Sequence, residues 1–257
     1  MSPRRAAALD DAGDVGLRDH LIAVTARLIA EHGAAGLTVR RIAREARVAD
    51  GVLYNHFADK EELLAHALRA HVSAVERTLR QPPPPADVGI EDGLRARIAY
   101  ALALHAAILP AFAGLLAEPK VLARFAALPG DGTPSVREAI GHYLTIERTA
   151  MRRIRWDADI GVAAKVISGA CHELVMEHLL HRPGEPLLVP PRFVDDLADM
   201  VLRGIRAGAG EGTAGGRRSP REHLGDVADA RPPVRADELL DAVLDEIAAA
   251  GAPAREG

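Results

Sequence analysis

The sequence predicts an all-α protein: a small N-terminal three-helix unit containing a helix-turn-helix, then a larger helical body. Three observations carry this. Ala and Leu dominate a 257-residue chain that is 48% hydrophobic yet only 3% aromatic, a composition that favours helices. No convincing stretch alternates apolar and polar residues with the period of a half-buried strand. In several segments apolar residues share one helical face, and prolines and glycines punctuate the chain between them.

The first helix is expected from Leu17 to His32. Leu17, Leu21, Val24 and Leu28 fall at i, i+4, i+7 and i+11, Ile22 and Ile29 widen the stripe, and Gly33 and Gly36 close it. Thr38 suits the N-cap of a second helix reaching Ala46, with Ile42, Ala43 and Ala46 inward. Arg47-Val48-Ala49 is the turn. A short helix over 50–56 follows, anchored by Leu53 and Phe57 and presenting Tyr54, Asn55 and His56, with Asp50 expected to cap it in place of Ala49. Asp59 caps the next helix, Glu62 completes a capping-box pattern, and the helix should run to about Leu79. Two short helices across such a turn form a helix-turn-helix, whose second helix can enter a DNA major groove. Gln81 and the four prolines after it cannot continue a helix, so a boundary is set there.

Beyond the prolines, helices are expected at Glu91–Leu109, Ala111–Leu116, Val121–Ala127, Ser135–Ile154, Asp159–His181 and Pro191–Arg206, with Pro110 separating the first two. A Gly/Pro/Arg-rich linker then leads to ADELLDAVLDEIAAA. There Leu239, Leu240, Val243, Leu244 and Ile247 form one stripe, which docks on the chain's own dimer, stays unfolded, or meets a separate partner.

A net charge of −4 excludes a general nucleic-acid scavenger, but Arg40, Arg41, Arg44, Arg47 and Lys60 give residues 37–60 a local surplus of cations over Glu45, Asp50 and Asp59. One cysteine, Cys171, excludes an intramolecular disulfide and fits a reducing cytoplasm. The N-terminus lacks the apolar core of a signal peptide. Ile98–Ala117 carries no Asp, Glu, Lys or Arg, but His105 and Pro110 interrupt it and a buried core helix is expected, with no membrane partner.

The run Leu53-Tyr54, His56-Phe57, Lys60-Glu61-Glu62-Leu63-Leu64, preceded by Thr38, Ile42-Ala43 and Ala46, resembles the DNA-binding domain of the TetR family of bacterial transcriptional regulators. The resemblance extends over Leu17 to Leu68 and implies an N-terminal DNA-binding domain plus a C-terminal helical effector-binding and dimerisation domain. On that plan residues 1–16 are a disordered arm, 17–80 the DNA-binding domain, 81–90 a linker, 91–206 the effector and dimer domain, and 207–257 a flexible linker with a short acidic amphipathic helix. The family's positions imply phosphate contacts by Tyr54, His56 and Lys60, an approach to the backbone by Thr38 and Arg40 or Arg41, and base reading around Ala49, Asp50, Gly51, Val52 and Asn55. The chain departs from the pattern at Arg47, where Gly is usual, at Ala49 in place of Ser, and at Val52 in place of Thr.

The resemblance further implies a cytoplasmic homodimeric repressor on a pseudo-palindromic operator, responsive to a small, largely apolar effector. The segments around 157–180 and 193–205 resemble the dimer helices, giving Val162, Val166, Ala170, Leu174, Val194, Leu197 and Val201 as interface candidates; the alternative is packing inside one subunit. Tyr100, His105, Phe112, His142, Tyr143 and Trp156 are candidate effector contacts or simply core and surface. No cofactor or metal is expected, although Cys171, His172, Glu173, Glu177, His178 and His181 leave a metal- or redox-sensing alternative open. The H-E-x-x-H pattern fails at Met176, and no phosphate loop or nucleophile motif suggests an enzyme. A member of the fold acting as an interaction module without an operator is a further alternative.

Overall fold

The structure, a computed structural model, describes residues 14–34, 36–115, 118–129, 134–205 and 232–251. Residues 1–13 of the expected arm, and most of the linker before the last helix, lie outside the described residues; 14–16, expected as part of the arm, are instead the start of the first helix. Ten α-helices occur among those described: α1 (Asp14–His32), α2 (Val39–Ala46), α3 (Leu53–His56), α4 (Lys60–Thr78), α5 (Ile90–Ala113), α6 (Pro119–Ala127), α7 (Val136–Thr149), α8 (Ile160–His181), α9 (Phe193–Ile205) and α10 (Ala236–Gly251). Two compact units are formed, one from 1–79 with 107–133, the other from 80–106 with 134–257.

In the first unit α1 lies along α4 and packs on α2, burying Leu21, Leu28 and Ile29 against Ile42, Ala43, Leu53, Phe57, Leu63, Leu64 and Leu68. α6 belongs here too. It packs on α4, and Val121 and Leu115 enter the same core, with Phe112 and Phe125 edge to face at 5.2 Å. The sequence pattern had grouped 107–133 with the body; the apolar face of α6 goes to α4 instead.

In the second unit the residues of α5 up to 106 bury Leu94, Ile98, Leu102 and several alanines, and α7 packs against α8. Pro110 does not end α5, which runs unbroken to Ala113; a proline inside a helix removes one hydrogen bond but need not break the axis when packing holds it. α5 is long and apolar enough to cross a membrane, and 56% of its most apolar window is buried as core. α7 stops at Thr149, earlier than expected, and Arg152 turns into the left-handed region at φ 56°.

One feature of this unit escaped the sequence pattern, and one alternative it left open is decided. Leu188–Val189 (β1) and Val234–Arg235 (β2) form a two-residue antiparallel ladder, too short to show a period. The acidic helix α10 is docked within the unit, with Leu239, Leu240, Val243, Leu244 and Ile247 all buried. A helix of 16 residues is marginal alone, and burying each such side chain is worth about 1.5–3 kcal/mol, so the stripe stabilises it.

Gly93 is a close-approach position. A Cβ there would sit 2.3 Å from the hydroxyl of buried Tyr143, which donates to the Ile90 carbonyl. Gly93→Ala should therefore destabilise the protein by about 1–3 kcal/mol in urea unfolding, the usual cost of overpacking.

Candidate DNA-binding surface

The candidate surface is built from the turn outwards. The Thr38 hydroxyl accepts from the Arg41 amide at 3.2 Å and starts α2. α2 ends in a Schellman arrangement: Val48 N–H donates to the Ala43 carbonyl at 2.9 Å and Arg47 N–H to that of Arg44 at 3.2 Å. This requires Arg47 at φ 58°, ψ 40°, the left-handed conformation that glycine adopts without penalty. Arg47→Gly should stabilise the head by about 0.5–1 kcal/mol, the left-handed penalty less glycine's chain entropy, as read by thermal or urea unfolding. The His20 ring meets the Ala46 carbonyl at 3.2 Å and helps close the same end.

The recognition segment is a 3₁₀ turn, Asp50–Val52, running into α3. Neither part has a side-chain cap. The expected cap at Asp50 is corrected: one residue inside the turn, its carboxylate instead lies 3.8 Å from the exposed Arg40 guanidinium. Leu53 and Phe57 are 2% and 3% exposed and pin the segment to the core. The intervening side chains face out, Tyr54 at 59% exposure with Asn55 exposed and His56 half-buried. Thr38, Arg40, Ala49, Asp50 and Gly51 are exposed, and Arg41, Val52 and Lys60 half-buried. Every residue nominated from the sequence for DNA contact is thus at least partly accessible.

The next helix is fixed at its first turn. The Asp59 carboxylate accepts from the Glu62 amide at 2.8 Å, and Glu62 reaches back to the Ala58 amide at 2.7 Å, one residue beyond the usual capping box. Arg124 of α6 donates to the other Asp59 oxygen, and Arg69 stacks on Phe125 at 4.4 Å. Sequence reasoning missed this brace, because nothing local marks Arg124 as the partner of a cap 65 residues away.

The other nominated residues do not converge. Trp156 is 78% exposed beside Arg148, His142 is exposed, and Phe112 lies in the core of the first unit. Tyr143 is packed under Arg97 at 3.6 Å, and Tyr100 is half-buried. Two surface depressions, one at Leu174–Leu188 and one at Pro190–Met200, are lined by none of the six effector candidates. Three residues expected at a dimer interface, Val194, Leu197 and Val201, are instead buried in their own subunit, because α9 has one apolar stripe and its own unit takes it. Val162 and Val166 are exposed, Ala170 and Leu174 half-buried, and Met200 of α9, not expected from the sequence, is an exposed apolar residue.

The metal or redox candidates are likewise dispersed. Cys171 is fully buried, and burial pushes its thiol up to about 12, which disfavours the reactive thiolate. His178 bonds the Glu185 carbonyl and His181 that of Glu177, and among the described residues no group of three or more metal-ligating side chains forms.

Residues 21–67 match the sequence model described as bacterial regulatory proteins, tetR family. The chain is similar to the HTH-type transcriptional repressor KstR2 of Rhodococcus jostii, 42% identical over 60 residues, 23% of this chain and 29% of that protein. KstR2 of Mycobacterium tuberculosis is 44% identical over 52 residues, 20% of this chain and 26% of its own. The match therefore spans under a third of either relative's length. Among solved structures, a TetR-family transcriptional regulator from Mesorhizobium loti shares the fold with a TM-score of 0.55 at 15% identity, over 77% of this chain and all of that one. Reduced NemR from E. coli follows the same fold at 0.52 and 17% identity, over 75% and 99%. Residues 21–67 are thus similar in sequence to the DNA-binding head of tetR-family bacterial regulatory proteins, and the chain shares the all-α fold of those solved structures.

Proposed function

We propose that this protein is a DNA-binding transcriptional repressor that acts as a homodimer in the cytoplasm, binds a pseudo-palindromic operator and is released by a small, largely apolar effector. The observation that carries this reading is the outward presentation of Tyr54 and Asn55 between the two buried anchors Leu53 and Phe57. A side chain of that exposure on a recognition helix has no structural task of its own. Arg40, Arg41 and Lys60 beside it supply cations for phosphates, and Asn55 can pair bidentately with adenine. The two relatives, both HTH-type transcriptional repressors, support the sign of regulation.

The second copy would meet the α8–α9 face through Val162, Val166 and Ala170, with Met200 added and the α9 residues that face inward left out. The effector would shift the equilibrium between two body conformations only by its differential affinity for them. The small side chains Gly161 and Gly169 on α8 permit close helix approach in such a dimer.

Variants of the head test the reading, using duplex from around the protein's own gene in a salt-dependent gel shift. Tyr54→Ala and Lys60→Ala should weaken binding about uniformly across sequences, since phosphates carry no sequence information. Asn55→Ala should relax preference at one base pair by about 1–3 kcal/mol. A wild-type protein with no preference over random duplex would instead favour an interaction module without an operator.

A further inference from the structure

The C-terminal helix does more than complete the core. α10 carries five carboxylates, Asp237, Glu238, Asp241, Asp245 and Glu246, and no basic side chain. Asp241 and Asp245, spaced i and i+4, repel each other on an isolated helix. Here both face one guanidinium: Arg80 Nη1 lies 3.2 Å from Asp241 Oδ1 and 2.8 Å from Asp245 Oδ1. The next residue, Glu246, accepts from Arg95 at 3.0 Å, and the same guanidinium holds Asp195 of α9 at 2.7 Å and Asp92 at 3.4 Å. The other end of α10 is fixed by the β1–β2 ladder and by the Ala236 amide on the Leu187 carbonyl at 2.9 Å.

What α10 grips is a particular piece of chain. Arg80 directly follows Leu79, the C-cap of α4, and precedes the run Gln81 to Pro85. Four prolines give a stiff, extended segment whose backbone offers carbonyls and no N–H groups; the Asp87 amide donates to the Pro84 carbonyl at 3.1 Å. Side chains hold it and the residues that follow: Arg97 donates to the Pro83 carbonyl at 3.0 Å, Arg153 to that of Val88 at 3.0 Å, and the Tyr143 hydroxyl to that of Ile90, at the start of α5, at 3.2 Å. Those grips come from α5, α7 and the turn after α7, within the body. The grip on Arg80, at the end where α4 leaves, comes from the C-terminal helix.

We infer that α10 is a strap: its carboxylates hold Arg80 and Arg95, docking fixes the junction at the exit of α4, and its release frees that junction as a regulatory step. The carboxylate grips are solvent-accessible and screened by salt, whereas the apolar stripe is not, so the charged grip can loosen while the helix stays on the body. The consequence for DNA rests on the function proposed above; the restraint on the junction does not.

The full-length chain is compared with Asp241→Asn/Asp245→Asn/Glu246→Gln, which keeps shape and stripe, and with a chain ending at residue 231. Hydrogen exchange should quicken about tenfold at the Arg80 and Gln81 amides in both variants, with α1 to α3 unchanged. Affinity for duplex from around the gene should shift about fivefold, in the same direction in both. Unchanged exchange at Arg80 and Gln81 in the triple variant would overturn the strap, as would α10 amides exchanging in the wild type as fast as in the free peptide. Faster exchange together with no sequence preference in any chain would uphold the strap and sink the operator.

Discussion

Phe57→Ala should cost the head about 3–5 kcal/mol and abolish DNA binding, the largest effect expected of any single substitution. Phe57 is 3% exposed, with the Arg18 guanidinium 4.8 Å from its ring centroid and the His66 ring at 6.1 Å. Its amide also donates to the Leu53 carbonyl at 3.0 Å, so one residue both ends α3 and plugs that helix into the core. Domains hold only about 5–15 kcal/mol in all, so the loss is a large fraction. Phe57→Leu, which keeps most of the volume, should cost under about 1.5 kcal/mol and leave binding measurable. Urea unfolding with fluorescence anisotropy on labelled duplex reads both quantities. Retention of wild-type stability by Phe57→Ala would show that α3 is held by something other than this anchor.

The second large effect is a loss of stability in mild acid, traced to His105. The ring is 8% exposed and faces the Ala101 carbonyl one turn earlier, which opposes the shift only weakly. Burial, then the neighbouring His172 ring 5.7 Å away, lowers its pKa to about 4. An unfolded histidine titrates near 6.5. Between those values the unfolded chain takes up a proton that the folded chain refuses, so stability falls as pH drops from about 6.5 to about 4. Above 6.5 both states are neutral there and the penalty is absent. The full difference is about 3 kcal/mol as an order of magnitude. His66 and His71 are also lowered, mainly by burial, and act in the same direction. His105→Leu should flatten the dependence markedly in urea unfolding at pH 7.5, 5.5 and 4.5. Parallel pH profiles for variant and wild type would place the acid sensitivity elsewhere.

What was legible in the sequence follows from how local each determinant is. The head could be read residue by residue, because caps, turn and anchors lie within a few positions of one another. Thr38 and Asp59 cap the helices for which their side chains suit them, and Leu53 and Phe57 are buried as their spacing implies. Asp50 did not cap, because the segment opens as a 3₁₀ turn whose N-cap is Ala49. The body was legible as helices but not as surfaces. A stripe such as Val194, Leu197 and Val201 says that a face is buried, and is silent on whether its own subunit or a second copy covers it. The same limit held for α10, whose stripe was visible while Arg80 and Arg95, some 150 residues earlier, were not identifiable as its seat. Aromatic type was a poor guide to a pocket: Phe112 went to one core, Tyr143 to another and Trp156 to the surface.

The claim on which the rest depends is that the Tyr54 face lies against a duplex, and site-directed cross-linking tests it most directly. A photo-reactive phenylalanine analogue at position 54 is irradiated with labelled duplex from around the gene, alongside the same analogue at exposed Trp156 as a control. Adducts to DNA are expected from position 54, competed by unlabelled cognate duplex more efficiently than by random duplex, and none from position 156. Equal labelling from the two positions, or adducts from position 54 to protein alone, would contradict it.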